Sequence, residues 1–120
     1  MTNNLKTYGL WALKIFAGLA FLAAGYAKLS GVEMMVATFD GVGIGQWFRY
    51  VTGAIEVAGA VLLFVPGKVF YGAAMLSVTM LGAIATHLVL IGGSPLPAII
   101  LLAITATIAW NNKDQMPKAI

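Results

Sequence analysis

Between Tyr8 and Trp110 polar residues are so sparse that four stretches read as nearly unbroken apolar text: residues 8–29, 47–65, 69–91 and 95–110. A helix needs ~20 such residues to cross hydrocarbon. In lipid, backbone groups have to be satisfied within their own segment, which restricts these stretches to helices. Of the 120 residues, 61% are hydrophobic and 9% charged, with a mean hydropathy of +0.94, whereas a soluble domain is about one quarter charged. A chain this short cannot hide so much apolar surface from water. The expected fold is all-α: one domain over residues 1–120, a transmembrane four-helix bundle. Short connections at 66–68 and 92–94 make successive helices antiparallel neighbours.

Turn-forming residues divide the stretches. Pro66-Gly67 ends the second and Gly92-Gly93 the third; Ser94-Pro95 reads as an N-cap and first turn for the fourth. The long connection, "SGVEMMVATFDGVGIGQ" over residues 30–46, holds a short helical pattern stopped by Asp40-Gly41. Ser30 and Glu33 have the spacing of a capping box. This segment is expected to lie along the membrane surface or fold over the mouth of the bundle. "GVGIG" follows no strand and opens no phosphate-binding helix, so it reads as a joint. "GYA" before Lys28 imitates a signal-peptide cleavage site, but Lys14 interrupts the apolar core that such a peptide needs.

The net charge is +3 and the pI 9.4. The basic residues flank apolar runs and form no patch, the habit of membrane spans and not of a nucleic-acid binder. There is no cysteine, which excludes disulfides, thiolate nucleophiles and cysteine-held metals. With both termini cytoplasmic, Lys6, Lys68, Lys113 and Lys118 gather inside. Lys28 and Arg49 lie outside, offset by Glu33 and Asp40, as the positive-inside rule favours. Trp11, Trp47 and Trp110 suit interfacial belts.

The polar residues within the apolar runs carry the functional question. Lys14, Gly18, Phe21, Gly25 and Lys28 share one face of the first helix, beside a small-residue stripe of Ala17, Ala20, Ala24 and Ala27. Arg49, Thr52, Gly53, Glu56 and Ala60 share a face of the second; Met80, Ala83 and His87, with Thr86 adjacent, share one of the third. Helical side chains lean toward the N-terminus. Lys14 therefore snorkels toward the near surface as an anchor, whereas Lys28 and His87 lean into the bilayer. At ~1.5 Å per residue, Glu56 lies about 13 Å and His87 about 6 Å below the outer ends of their helices. Lys28, Glu56 and His87 are expected to meet in the outer half of the bundle, with Arg49 at its rim. Glu56 is then either a ligand or proton group, or one side of a bridge that fixes helix packing. One His with one Glu does not make a metal site, and no nucleophile with a placed base is recognisable.

"LKIFAGLAFLAAGYAKL", "RYVTGAIEVAGAVLLFVP" and "MLGAIATHLVL", in that order and followed by "PLP", resemble the DoxX-like family of small four-helix membrane proteins. The resemblance covers nearly the whole chain and falls on Lys14, Lys28, Glu56 and His87; at the first of these the family often has Arg. It implies a place in a bacterial cytoplasmic membrane. For function it implies a redox-linked accessory or quinone-handling subunit, with a quinone or lipid held non-covalently beside Lys28, Arg49, Glu56 and His87. The chain would have no redox centre of its own and would work with a membrane protein partner or as a homo-oligomer. The alternatives are a non-catalytic assembly protein and, third, a path for a small solute or proton.

Overall fold

The structure, a computed structural model, describes residues 2–115. Among these there are five α-helices and no strand: α1 (Thr2–Ser30), α2 (Glu33–Val42), α3 (Trp47–Leu62), α4 (Val69–Thr86) and α5 (Leu96–Asn111). α4 widens into a π turn, His87–Ile91, and a 3-10 turn, Lys113–Gln115, follows α5. The long helices pack in chain order: α1 on α3, α3 on α4, α4 on α5, with α5 closing weakly onto α1. α2 lies across one end against α1, α3 and the π turn.

The expected all-α class and the short surface helix are present. Two helices, Asn4–Ser30 and Val69–Ile91, are long and apolar enough to cross a membrane; α5 is apolar but shorter. α3 has 16 residues, about 24 Å at 1.5 Å per residue. Several boundaries differ from the expected ones. α1 starts at Thr2 instead of near residue 8, and α3 stops at Leu62 instead of 65. The anticipated capping box does not form. Val32 holds the N-cap position of α2 without a side-chain cap, and the Ser30 hydroxyl donates backward to the Ala27 carbonyl at 3.4 Å. The reason is that α1 runs through Ser30, which leaves its hydroxyl nearer the old helix than the new one. α5 likewise starts at Leu96, not Pro95, and the Ser94 hydroxyl accepts the Leu96 N–H at 3.2 Å. Lys118, one of the expected cytoplasmic cations, lies outside the described residues.

The core mixes small and larger apolar residues: Ala17 and Phe21 of α1, Ala60 and Leu63 at the end of α3, Ala73, Leu76 and Met80 of α4, Ala98 and Ile108 of α5. Two glycine pairs let backbones touch. A Cβ on Gly53 would stand 3.0 Å from the Gly25 carbonyl oxygen, and one on Gly72 would stand 2.7 Å from that of Gly59. Such contacts replace side-chain interdigitation with backbone-to-backbone packing. α4 and α5 are joined across their interface by a hydrogen bond from the Ser77 hydroxyl to Thr105 Oγ1, 2.9 Å. Outward, α1 presents Trp11, Ile15, Phe16 and Leu19, and the π turn presents Leu88, Val89 and Leu90, all exposed.

Candidate functional site

The last four carbonyls of any helix lack intrahelical partners, and the way α1 resolves this builds the site. Gly31, at φ +72°, reverses the chain, and the Val32 N–H returns to the Ala27 carbonyl at 3.2 Å, a Schellman-type ending. The Lys28 carbonyl is met by Arg49 of α3, whose Nη1 donates to it. A cation at a helix C-terminus also answers the partial negative charge there. Arg49 Nε donates to Gln46 Oε1 at 2.7 Å, and Gln46 Nε2 donates to Asp40 Oδ1 at 2.7 Å and to the Val36 carbonyl at 3.0 Å. One chain of hydrogen bonds thus ties α2, α3 and the end of α1 together. Arg49 is only 5% exposed.

With its carbonyl pinned, Lys28 sends its side chain toward α3, where Nζ comes 2.9 Å from Glu56 Oε1. Glu56 is 2% exposed. The contact is an ion pair whose approach lies off the hydrogen-bonding direction. Oε1, fully buried, accepts no hydrogen bond from any described residue. A carboxylate has about four lone-pair sites, and a buried one is normally served by several donors. Here a single ammonium answers it.

Above the pair opens a cavity of about 410 Å³ to which all five helices contribute. Phe21, Ala24 and Lys28 come from α1; Met35, Thr38, Phe39 and Val42 from α2; Phe48, Thr52, Ile55 and Glu56 from α3. α4 and its π turn supply Thr79, Met80, Ala83, Thr86, His87 and Ile91, and α5 supplies Ala98 and Leu101. The π turn is one residue wider than an α turn, and Gly92-Gly93, both at positive φ, fold its end back. The Gly92 carbonyl comes 2.8 Å from His87 Nδ1. A shallow groove lined by Met34, Ala37, Gly41 and Leu90 shares Thr38 and Ile91 with the cavity, so the seam between α2 and the π turn leads from it toward the apolar exterior.

Of the four residues singled out from the sequence, Lys28, Glu56 and His87 line one cavity; Arg49 is not among its walls and instead holds the Lys28 carbonyl beside it. Lys14 stands apart at the other end of α1, with Nζ 3.6 Å from the centre of the Trp11 ring. Sequence reasoning passed over Gln46 and Thr38. Gln46 carries a readable cue, three residues before Arg49 at the head of a helix, where i and i+3 side chains meet. Among the described residues no group of three or more His, Asp or Glu is placed to hold a metal ion.

Fold and cavity together define a small all-helical, apolar protein that buries an ion pair under a ligand-sized space. The chain belongs to the DoxX-like family, a membrane-associated one, whose model matches residues 12–111. It is 31% identical over 84 residues to a Bacillus subtilis (strain 168) protein named "Putative oxidoreductase CatD", a match covering 70% of this chain and 63% of that one. No solved structure matches the chain.

Proposed function

We propose that this chain crosses a bacterial cytoplasmic membrane four times and handles a quinone-type ligand as a redox-linked accessory subunit. The observation that carries this reading is the cavity: about 410 Å³, mostly apolar, with an under-satisfied Lys28–Glu56 pair in its wall. Ligand sites are typically of this size and make-up, apolar with few polar groups that fix orientation. Ionisable residues within membrane helices mark such sites more often than they mark packing. The membership in a membrane-associated family, the two long apolar helices and the relative named as an oxidoreductase support the same class.

A quinone fits the residues present: a flat apolar ring among Phe21, Phe39, Phe48 and Met80, its oxygens beside Lys28, Glu56 and His87, and a tail along the seam at Thr38 and Ile91. Bound there, such a group supplies the two-electron chemistry that the side chains cannot. Lys28 orients a ring oxygen, Glu56 and His87 exchange protons with it, and α2 keeps water out. The electrons come from a partner protein's cofactor. Titrating a quinone analogue into the detergent-solubilised protein tests this. Glu56→Gln and His87→Ala should each weaken binding of the analogue's reduced, hydroxyl-bearing form, by about 10- to 100-fold for the bond to the Glu56 carboxylate, about 1.5–3 kcal/mol, and by less for His87. Unchanged affinity in both variants would overturn the reading.

A further inference from the structure

The cavity's hydrogen-bonding groups are almost all acceptors. Its four threonines have committed their protons elsewhere: the hydroxyls of Thr38, Thr52, Thr79 and Thr86 each donate to the carbonyl four residues back in their own helix, all at 2.8 Å. What remains on each oxygen is lone pairs. His87 Nδ1 faces the Gly92 carbonyl, which can only accept, so the tautomer that fits has its proton on Nδ1 and offers Nε2 as an acceptor. Glu56 Oε1 is buried without a hydrogen bond. Against these stands one uncommitted side-chain donor group among the lining residues, Lys28 Nζ, which faces Glu56 Oε1 at 2.9 Å and keeps protons for one ligand oxygen.

We infer that the cavity selects a ligand bearing hydroxyl donors, and so holds the hydroquinone form of a quinoid ligand more tightly than the quinone. This rests on the quinone-type reading of the same cavity and adds to it the oxidation state preferred. A quinone brings two acceptors, of which Lys28 can serve one, and leaves Glu56 Oε1 unmatched. A hydroquinone brings two O–H groups, one for Glu56 and one for His87 Nε2 or a threonine oxygen. Apolar ring contacts are common to both forms and cancel. The difference is therefore set by donors alone.

The test uses the full chain in detergent under anaerobic conditions, with three probes of one short-tailed benzoquinone: the quinone, its hydroquinone and the hydroquinone's dimethyl ether. The hydroquinone should bind at least about 10-fold tighter than the quinone, as two further hydrogen bonds allow, with the ether no tighter than the quinone. The bound couple's midpoint potential should then rise by about 30 mV per tenfold for a two-electron exchange. His87→Phe keeps a ring in place and removes the acceptor; it should cut the hydroquinone-to-quinone ratio about 2- to 10-fold. Thr79→Val, a near-isosteric second variant, should cut it less. Equal or tighter binding of the quinone overturns the inference and leaves the quinone site standing. Binding of the ether as tightly as the hydroquinone overturns it too, because the ether lacks donors. Failure of all three probes to bind overturns the proposed function, and this inference with it.

Discussion

A buried carboxylate answered by one off-axis ammonium is sensitive to the loss of that ammonium. Lys28→Met leaves the Glu56 carboxyl unpaired and 2% exposed, and should lower stability by about 3–5 kcal/mol, the usual cost of breaking a buried pair. Replacing both residues, Lys28→Met with Glu56→Leu, should recover most of that loss, since neither desolvated charge remains. Thermal unfolding of the four proteins of this cycle in one detergent measures it; strict additivity of the two single losses would mean that the residues do not interact. This pair was legible in the sequence because a charge in an apolar run is conspicuous, and antiparallel helices tip opposite side chains toward each other. Arg49 was only half legible. Its place near the site followed from helical spacing, but its task, satisfying the Lys28 carbonyl, depends on where α1 ends. Asp40 sits in a connection without period, where nothing in residue type separates a latch from a solvated loop, and Gln46 was legible only through its spacing from Arg49.

At the scale of elements, the bundle depends on glycines where helix backbones touch. An added Cβ at Gly72 would meet the Gly59 carbonyl oxygen at 2.7 Å and the Leu63 nitrogen at 3.1 Å, both backbone atoms that cannot turn aside. Gly72→Ala should therefore push α4 off α3 and cost about 1–3 kcal/mol, as overpacking does. Gly9, on the same kind of apolar helix, meets nothing within 4 Å, so Gly9→Ala should be neutral or stabilise by up to about 1 kcal/mol through helix propensity. Chemical denaturation of both variants checks the contrast, and equal effects would refute the close-approach account. The small-residue stripe of α1 was readable as an approach point; the glycine contacts of α3 with α1 and α4 were not. The π turn at His87–Ile91 was unreadable too: "HLVLI" continues the apolar pattern of α4 unbroken. Only the Gly92-Gly93 reversal, pulling a carbonyl back onto His87, makes the wider turn visible.

At the scale of the molecule, the long axis of 48 Å is close to the full thickness of a bilayer with its headgroups, ~40–45 Å. The two ends differ in chemistry. One end gathers Lys68 and Lys113, with Trp11 tilted against Phe64, Lys113 over Trp110 and the Phe70 N–H donating to Gln115 Oε1. The other end carries α2, the cavity and Trp47, and there Lys28 and Arg49 are enclosed in the Glu56 pair and the Gln46–Asp40 chain. Among the described residues, the exposed cations thus collect at one end, and a four-span bundle should keep that end cytoplasmic. The absence of cysteine makes this directly testable. Single cysteines at four exposed positions, Met34, Lys68, Ser94 and Asp114, should react with a membrane-impermeant maleimide in an alternating pattern. Met34→Cys and Ser94→Cys should label in intact cells, Lys68→Cys and Asp114→Cys only after permeabilisation. The reversed pattern would keep four crossings and invert the orientation, placing the cavity mouth in the cytoplasm. Labelling of Lys68→Cys together with Ser94→Cys would break the four-span arrangement itself, since α4 and its π turn, the most apolar segment between them, would then fail to cross.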